Sequence, residues 1–286
     1  MGYLHVDNLY KNQTILLFKE CYAMEKIHGT SAHIGWKFET KKVNFFTGEN
    51  HKLFLSLFDE EQLRATFEKT FPDQDAVIFG EHYAGKCQGM SHTYGKESKF
   101  IGFDVKVGNV WLNVPNAEDV CQEFGIEFVD YVKIKTDLES LNTQRDKFSA
   151  QAVRNGIMEP KQREGIVLRP LTEMRTNNGE RVICKYKPEE FGETKTKREV
   201  NPEQLKILSD AKEIAEEWVT SMRLEHVLQK FPEGTSMESM GDIIKAMIDD
   251  VYREGKDEIV ESKAVQKAIG GVTVKLFKAK LQSTIK

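Results

Sequence analysis

The chain reads as an α+β protein, a larger domain of antiparallel sheet and helices followed by a small all-α domain. Two observations predict this. Short apolar segments with period-two alternation recur from Cys21 to Tyr186, with helical stretches between them. Past residue 192 the alternation stops and apolar residues fall at helical spacing. The expected boundaries are 1–192 for the sheet-containing domain, 193–202 for a linker and 203–286 for the helical domain.

Cys21-Tyr22-Ala23-Met24 is a short apolar strand. After a turn at Gly29, Ala32, Ile34, Trp36 and Phe38 alternate with Ser31, His33, Gly35 and Lys37, as in a half-buried strand. Val43 to Thr47 is a further strand. Asp59-Glu60-Glu61-Gln62 has the pattern of a helix start, with Leu63 and Phe67 four apart behind it. Ala76 to Glu81 is a strand ending in an acid. Lys99 to Val107 is another, with Ile101, Phe103, Val105 and Val107 on one face. Helices are expected over Asn116–Phe124 and roughly Leu138–Val153, and late strands over Glu164–Arg169 and Arg181–Tyr186.

Gly192 to Lys197 is polar and lacks an apolar period, as a linker should. Asn201-Pro202 reads as a helix start. Leu205, Leu208, Ala211, Ala215, Trp218 and Met222 then follow one helical stripe, which Pro232-Glu233-Gly234 ends. Ile244, Met247, Ile248 and Val251 mark a second helix, and Ala264–Ile269 a shorter third.

Composition narrows the function classes. With 40% hydrophobic and 30% charged residues the chain has the balance of a globular protein. It has no run of about 18 apolar residues, so no membrane span is expected. Met1 to Gln13 lacks the order of a signal peptide, and the four scattered cysteines lack metal-ligand spacing. A cytoplasmic protein with reduced, packing cysteines is expected. The net charge of −4 argues against an overall basic coat. Lys185, Lys187, Lys195, Lys197 and Arg198 nevertheless form a basic patch, which suits phosphate or reads as a solvated linker.

Several segments carry chemistry. In Glu25-Lys26-Ile27-His28-Gly29-Thr30 a lysine stands between a strand and a glycine turn that permits close backbone approach. Such an amine is a nucleophile if its surroundings hold it deprotonated, as neighbouring cations or a metal ion do. Lys185 and Lys187, two apart on a strand, project together and could serve as those cations or as a phosphate clamp. Their ordinary alternative is an exposed basic face on an edge strand. Glu164, at the mouth of the apolar Gly165-Ile166-Val167-Leu168, suits a hard divalent ion. Glu81 could accept hydrogen bonds from sugar hydroxyls. Phe103 could stack on a nucleobase beside Asp104. Taken singly, Phe103 could equally be core, and Glu81, Asp104 and Glu164 exposed acids.

In this order, Lys-x-x-Gly, Gly-Glu, Phe-Asp, Glu-Gly-Ile-Val-Leu and Lys-x-Lys, the segments from Glu25 to Lys187 resemble the motifs of the covalent nucleotidyltransferases, the ATP-dependent ligases and capping enzymes. With histidine before the glycine, Glu-Lys-Ile-His-Gly-Thr looks most like the RNA ligase 2 branch, which includes phage RNA ligases and kinetoplastid RNA-editing ligases. The resemblance implies a nucleotidyltransferase domain of the ATP-grasp-like ligase kind and an ATP-dependent RNA ligase using Mg²⁺ or Mn²⁺. It implies that Lys26 attacks the ATP α-phosphate, releases pyrophosphate and forms lysyl-AMP. Glu25 and Phe103 would seat adenine, Glu81 would hold the ribose, and Gly29 would allow the turn. His28 would assist near the pyrophosphate. Glu164 would serve the metal, and Lys185 and Lys187 would contact the α-phosphate.

The implied partner is RNA with 3′-hydroxyl and 5′-phosphate ends at a nick or break in a duplex, with no membrane. A ligase for DNA or mixed strands and a non-catalytic nucleic-acid-binding relative are the alternatives. The chain departs from the family pattern twice. Ser31 replaces the asparagine frequent in this branch, and Phe46 stands where an arginine that handles nucleic-acid ends is common. The helical tail matches RNA ligase 2 relatives, whereas DNA ligases and capping enzymes usually carry a barrel of short strands there.

Overall fold

The computed structural model describes residues 2–192, 211–232 and 235–284. It divides into two units, Met1–Pro188 and Glu189–Lys286. The expected linker, the Asn201-Pro202 start, Leu205 and Leu208 lie outside the described residues, as do Lys195, Lys197 and Arg198 of the basic patch.

The first unit holds two antiparallel sheets. The smaller contains β1 (Glu20–Glu25), β7 (Tyr131–Lys135), β8 (Ile166–Pro170) and β9 (Cys184–Tyr186), in the order β7-β1-β8-β9. The larger contains β2 (Thr30–Lys37), β3 (Lys42–Thr47), β4 (Ala76–Ala84), β5 (Ser98–Val107) and β6 (Val110–Trp111), in the order β3-β2-β4-β5-β6. Its helices are α1 (His51–Leu55), α2 (Glu60–Thr70), α3 (Ser91–Tyr94), α4 (Val114–Glu123), α5 (Leu138–Arg145) and α6 (Ala150–Arg154). The short segment between β1 and β2, Lys26 to Gly29, carries the chain from one sheet to the other.

One face of the larger sheet makes the core. Ile34, Trp36, Ile78 and Val105 are buried there with Phe54 of α1, Leu63 and Phe67 of α2, and Val114, Ala117 and Cys121 of α4. Trp36 stacks on Phe67 at 5.6 Å, and its indole N–H donates to the Phe71 carbonyl at 3.0 Å. The start of α2 forms as its sequence predicts, with the Asp59 carboxylate accepting from the Gln62 N–H at 3.0 Å. All four cysteines are free and buried, and burial pushes their thiols up.

Several expectations need correction. β2 is buried on both faces, because His33 is covered by Phe46 and Phe79. β4 does not end at Glu81 but runs on to Ala84. Phe79 pairs with Asp104 and Gly80 with Gly102, so Phe103 is a bulge residue and Ile101 and Val105 fall on opposite faces. The stretch from Leu138 to Val153 is two helices, the second restarted by Ser149, whose hydroxyl accepts from the Ala152 N–H. Glu164 precedes β8 rather than lying in it. β9 is short and is no open edge: Leu9 N–H donates to the Lys185 carbonyl and Lys185 N–H to the Asp7 carbonyl, both at 2.8 Å.

The second unit is helical in its described residues. It comprises α7 (Ala211–Trp218), α8 (Ser221–Leu228), α9 (Met240–Glu254) and α10 (Lys263–Thr284). Trp218 and Met222 do not share a helix, because Thr220 caps a new one by accepting from the Arg223 N–H. The third predicted helix is not shorter: α10 is the longest of the described helices. It runs on past Ile269, with Thr273 bonding back to the Ile269 carbonyl and Phe277 returning to the core. Gly270 passes close to Ile244, where a Cβ would lie 3.2 Å from its side chain.

Candidate active site

β1 fixes the nucleophile candidate. Met24 stands opposite Val167, and Val167 opposite Lys185. Two residues further on, Lys26 and Lys187 continue the same face. Glu164 lies between them: Lys26 Nζ donates to its Oε2 at 2.7 Å, and Lys187 Nζ is 3.0 Å from its Oε1. The Glu164 side chain is 1% exposed, that of Lys187 6% and that of Lys26 24%, so the nucleophile candidate is the member open to a ligand. The expected grouping of cations around Lys26 is therefore mediated by a carboxylate.

Gly165 makes this possible. Its φ is +144°, and a Cβ there would sit 2.4 Å from the Tyr186 carbonyl oxygen and 2.9 Å from the Lys187 Cα. The Gly165 carbonyl also accepts from the Lys26 N–H at 3.0 Å. Gly29 plays the matching part on the other sheet. A Cβ there would lie 2.5 Å from the His82 carbonyl oxygen and 2.8 Å from the Tyr83 Cβ. The Gly29 N–H bonds to Glu81. Burial pushes Glu81 up to about 8, against the pull of Lys26; Glu164 adds to the rise, and the Gly29 N–H and Lys187 oppose it. Near neutral pH its carboxyl is largely protonated and can donate as well as accept.

The remaining predicted residues divide. Lys185 is buried on the face of Lys26 and Lys187, and its charge helps hold the Asp7 carboxyl low, behind the larger effect of the His5 hydrogen bond. His28 is buried beside the turn, its backbone N–H donating to the Tyr94 hydroxyl at 3.3 Å. The Glu25 carboxylate is occupied at the start of α6. It accepts from Ser149 Oγ at 2.5 Å and from the N–H groups of Ala150 and Gln151 at 2.9 and 3.3 Å, with Arg163 at 3.8 Å. Burial raises its pKa despite these partners.

Phe103 packs edge-on against Tyr3 at 4.9 Å. Phe103 is half-buried, whereas Asp104 is closed off from solvent. Asp104 is fully buried and accepts from Tyr3 Oη at 2.7 Å, Arg181 at 2.7 Å and Arg169 at 2.9 Å. Both arginines also bind Glu173. Burial opposes ionisation of Glu173, yet the bonds and charges of Arg181 and Arg169 hold its carboxyl below the ordinary value. Two acids and two guanidiniums thus balance, and Arg169 of β8 with Asp104 of β5 ties the sheets together. Tyr3, Arg169, Glu173 and Arg181 were not legible as a group, because their separation along the chain carries no spacing signal. Asp104 beside an apolar strand is the one member a sequence pattern marks.

The donor set fits a hard cation carried by phosphates. Glu164 supplies carboxylate oxygen, and the Glu81 carboxyl lies within electrostatic reach of it. No group of three or more His, Cys, Asp or Glu suited to a metal occurs among the described residues. Mg²⁺ and its substitutes bind in this manner, through one or two carboxylates with water and substrate phosphates completing the shell.

Comparison with solved structures places the fold. An RNA ligase mutant of Naegleria gruberi with ATP and Mn matches with TM-score 0.51 and 13% identity, over 67% of this chain and 57% of that chain. Another mutant of the same ligase with AMP and Mn gives 0.52 and 12%, over the same shares. The ligase with PPi gives 0.50 and 13%, again over 67% and 57%. The chain therefore spans 57% of the length of these ligase chains, and at such identity the likeness shows the fold alone. No curated protein matches the chain in sequence. The family model of RNA ligases matches residues 19–187, the span that holds Lys26, Glu81, Phe103, Glu164, Lys185 and Lys187. The chain belongs to the RNA ligase family.

Proposed function

We propose that the protein is an ATP-dependent RNA ligase that joins 3′-hydroxyl and 5′-phosphate ends through lysyl-AMP on Lys26. The observation that carries this reading is the triad of Lys26, Glu164 and Lys187, with a partly open amine held at 2.7 Å from a buried carboxylate. The ATP, AMP, PPi and Mn bound to the Naegleria gruberi ligase support the same choice of nucleotide and metal here.

In the first step Lys26 Nζ gives up its bond to Glu164 and attacks the α-phosphorus of ATP. A P–N bond forms, the bond from α-phosphorus to the bridging oxygen breaks, and pyrophosphate leaves. Glu164, already in contact with the amine, is placed to accept its proton. Lys187 and Lys185 face the same space and offer positive charge to phosphoryl oxygens. Glu81 offers a protonated carboxyl to a ribose hydroxyl. Glu164 would hold a Mg²⁺ or Mn²⁺ ion, which supplies charge neutralisation at the phosphates when bound. AMP then passes to the 5′-phosphate of RNA, and the 3′-hydroxyl displaces it to seal the strand.

A sealing assay tests the reading. Nicked RNA, nicked DNA and single-stranded RNA with 5′-phosphate ends are incubated with ATP and Mg²⁺ or Mn²⁺. Sealing of nicked RNA, abolished by Lys26→Ala, is expected. Sealing of nicked DNA in preference would move the substrate to DNA, and no sealing of any substrate would refute the proposal.

A further inference from the structure

β3 is one of the two outer strands of the larger sheet. Val43 and Phe45 pack against the core, whereas Lys42, Asn44 and Phe46 turn to the opposite face and are exposed. A phenylalanine 40% exposed on an edge strand is a feature that natural sheets avoid unless something covers it. Here the ring is held in a set orientation. Phe46 stands opposite His33, and the rings stack with centroids 5.1 Å apart and 16° between planes. His33 in turn stands opposite Phe79, at 5.4 Å between rings. Phe79 meets both Tyr3 and Trp111 at 5.2 Å. A row of rings thus crosses the sheet from a solvent-facing end at Phe46 to a buried end.

The backing ring is unusual for a structural residue. His33 is 9% exposed, and its Nδ1 has no hydrogen-bond partner among the described residues. Burial lowers its pKa to about 4, so a neutral, flat imidazole supports the phenyl ring near neutral pH. The row also lies on the face of the candidate site. Alternation puts Ser31 beside His33 and Glu81 beside Phe79, and Ser31 stands opposite Glu81. Strands about 4.8 Å apart with about 3.3 Å rise per residue put the Phe46 and Glu81 backbones about 12 Å apart, a few stacked bases. Lys42, exposed on the same side of β3, adds a cation further along the strand.

We propose that Phe46, backed by His33, is a stacking platform for a nucleobase of the RNA strand whose end is brought to Lys26. The platform deepens the ligase reading and rests on it. A base lies on the exposed part of the Phe46 ring, a few nucleotides from the joined end, with Lys42 toward a backbone phosphate. Stacking of this kind tolerates any base, because every base has a π-face.

The test uses the full chain and nicked RNA duplexes carrying 5-iodouridine at single positions one to five nucleotides from the nick. Irradiation is expected to cross-link one of these positions to Phe46, as located by mass spectrometry. Phe46→Ala should weaken nick binding roughly 5- to 100-fold, and Phe46→Trp should keep it near wild type. Phe46→Leu, apolar but without a ring, should behave as Phe46→Ala. Wild-type binding by Phe46→Leu, or no cross-link to Phe46 at any position, would overturn the platform. ATP adduct formation is measured in parallel. A matching fall in Phe46→Ala would assign the ring to the nucleotide pocket and overturn the proposal. RNA-independent self-association that is lost in Phe46→Ala would make a second copy of the chain the occupant, with the same consequence. Absence of the adduct in wild type counts against the ligase reading alone, since binding and cross-linking are read without catalysis.

Discussion

Replacing Glu164 by glutamine removes a charge that two amines share. Gln is nearly the same shape, so the change is electrical rather than a loss of packing. Lys187, 6% exposed, would lose a carboxylate 3.0 Å from its amine, and Lys26, 24% exposed, would lose a hydrogen-bonded acceptor at 2.7 Å. Removing one member of a fully buried pair costs about 3–5 kcal/mol. The Lys187 arm approaches that limit, and solvent screens part of the Lys26 arm. A net loss of about 3 kcal/mol is expected, or roughly 6–12 °C in Tm for a unit of this size. Urea unfolding gives the free energy, with a shifted midpoint at unchanged slope. The double variant Glu164→Gln with Lys187→Met should recover at least about 1 kcal/mol, because it leaves no buried charge on that arm. A single variant within about 0.5 kcal/mol of wild type, or a double variant equal to the sum of the singles, would refute the electrostatic account of the triad.

Gly29→Ala forces a Cβ to within 2.5 Å of the His82 carbonyl, so the turn that carries Lys26 must shift. Overpacking of this kind costs about 1–3 kcal/mol, and a displacement near 1 Å can reduce a positioned reaction about 100-fold. Lysyl-AMP formation should fall to that extent in a protein that still folds; a rate within threefold of wild type would contradict the close approach. Glu81 sets a pH dependence. Its folded pKa of about 8 exceeds the ordinary 4.5, so the native state binds the extra proton and stability declines as pH rises between these values. Below about 6.5, His33 and His82, both lowered to about 4 by burial, act in the opposite sense, favouring the native state as pH rises. Between pH 6.5 and 8 the Glu81 effect contributes at most about 1.4 kcal/mol per pH unit, and Glu81→Gln should make the profile there less steep.

Much of this site was legible in the sequence because its members are marked by local signals. Lys26 and Gly29 share a strand-turn pattern, Glu164 and Gly165 open an apolar strand, and Lys185 and Lys187 show period two. What the sequence could not show was long-range register. That Glu164 sits between Lys26 and Lys187 depends on the positive φ of Gly165 and on the pairing of β1, β8 and β9. The bulge at Phe103 also changes which side chains share a face, and no residue type announces it. The sequence does not mark Glu25 as the acid at the start of α6, because Ser149 and Arg163 approach it only in the folded chain. In the helical unit, the third helix runs past Ile269 through Gly270-Gly271 because helix propensity is weak beside packing, and Phe277 reaches the core.

The central claim is that Lys26 becomes covalently bound to AMP. The purified full chain, incubated with ATP and Mg²⁺ or Mn²⁺ and without RNA, is digested and analysed by mass spectrometry for an adenylylated lysine. The account predicts AMP on Lys26, absent in Lys26→Ala and reversed by added pyrophosphate. An adduct on a different lysine, or none with any of the four nucleoside triphosphates, would contradict it.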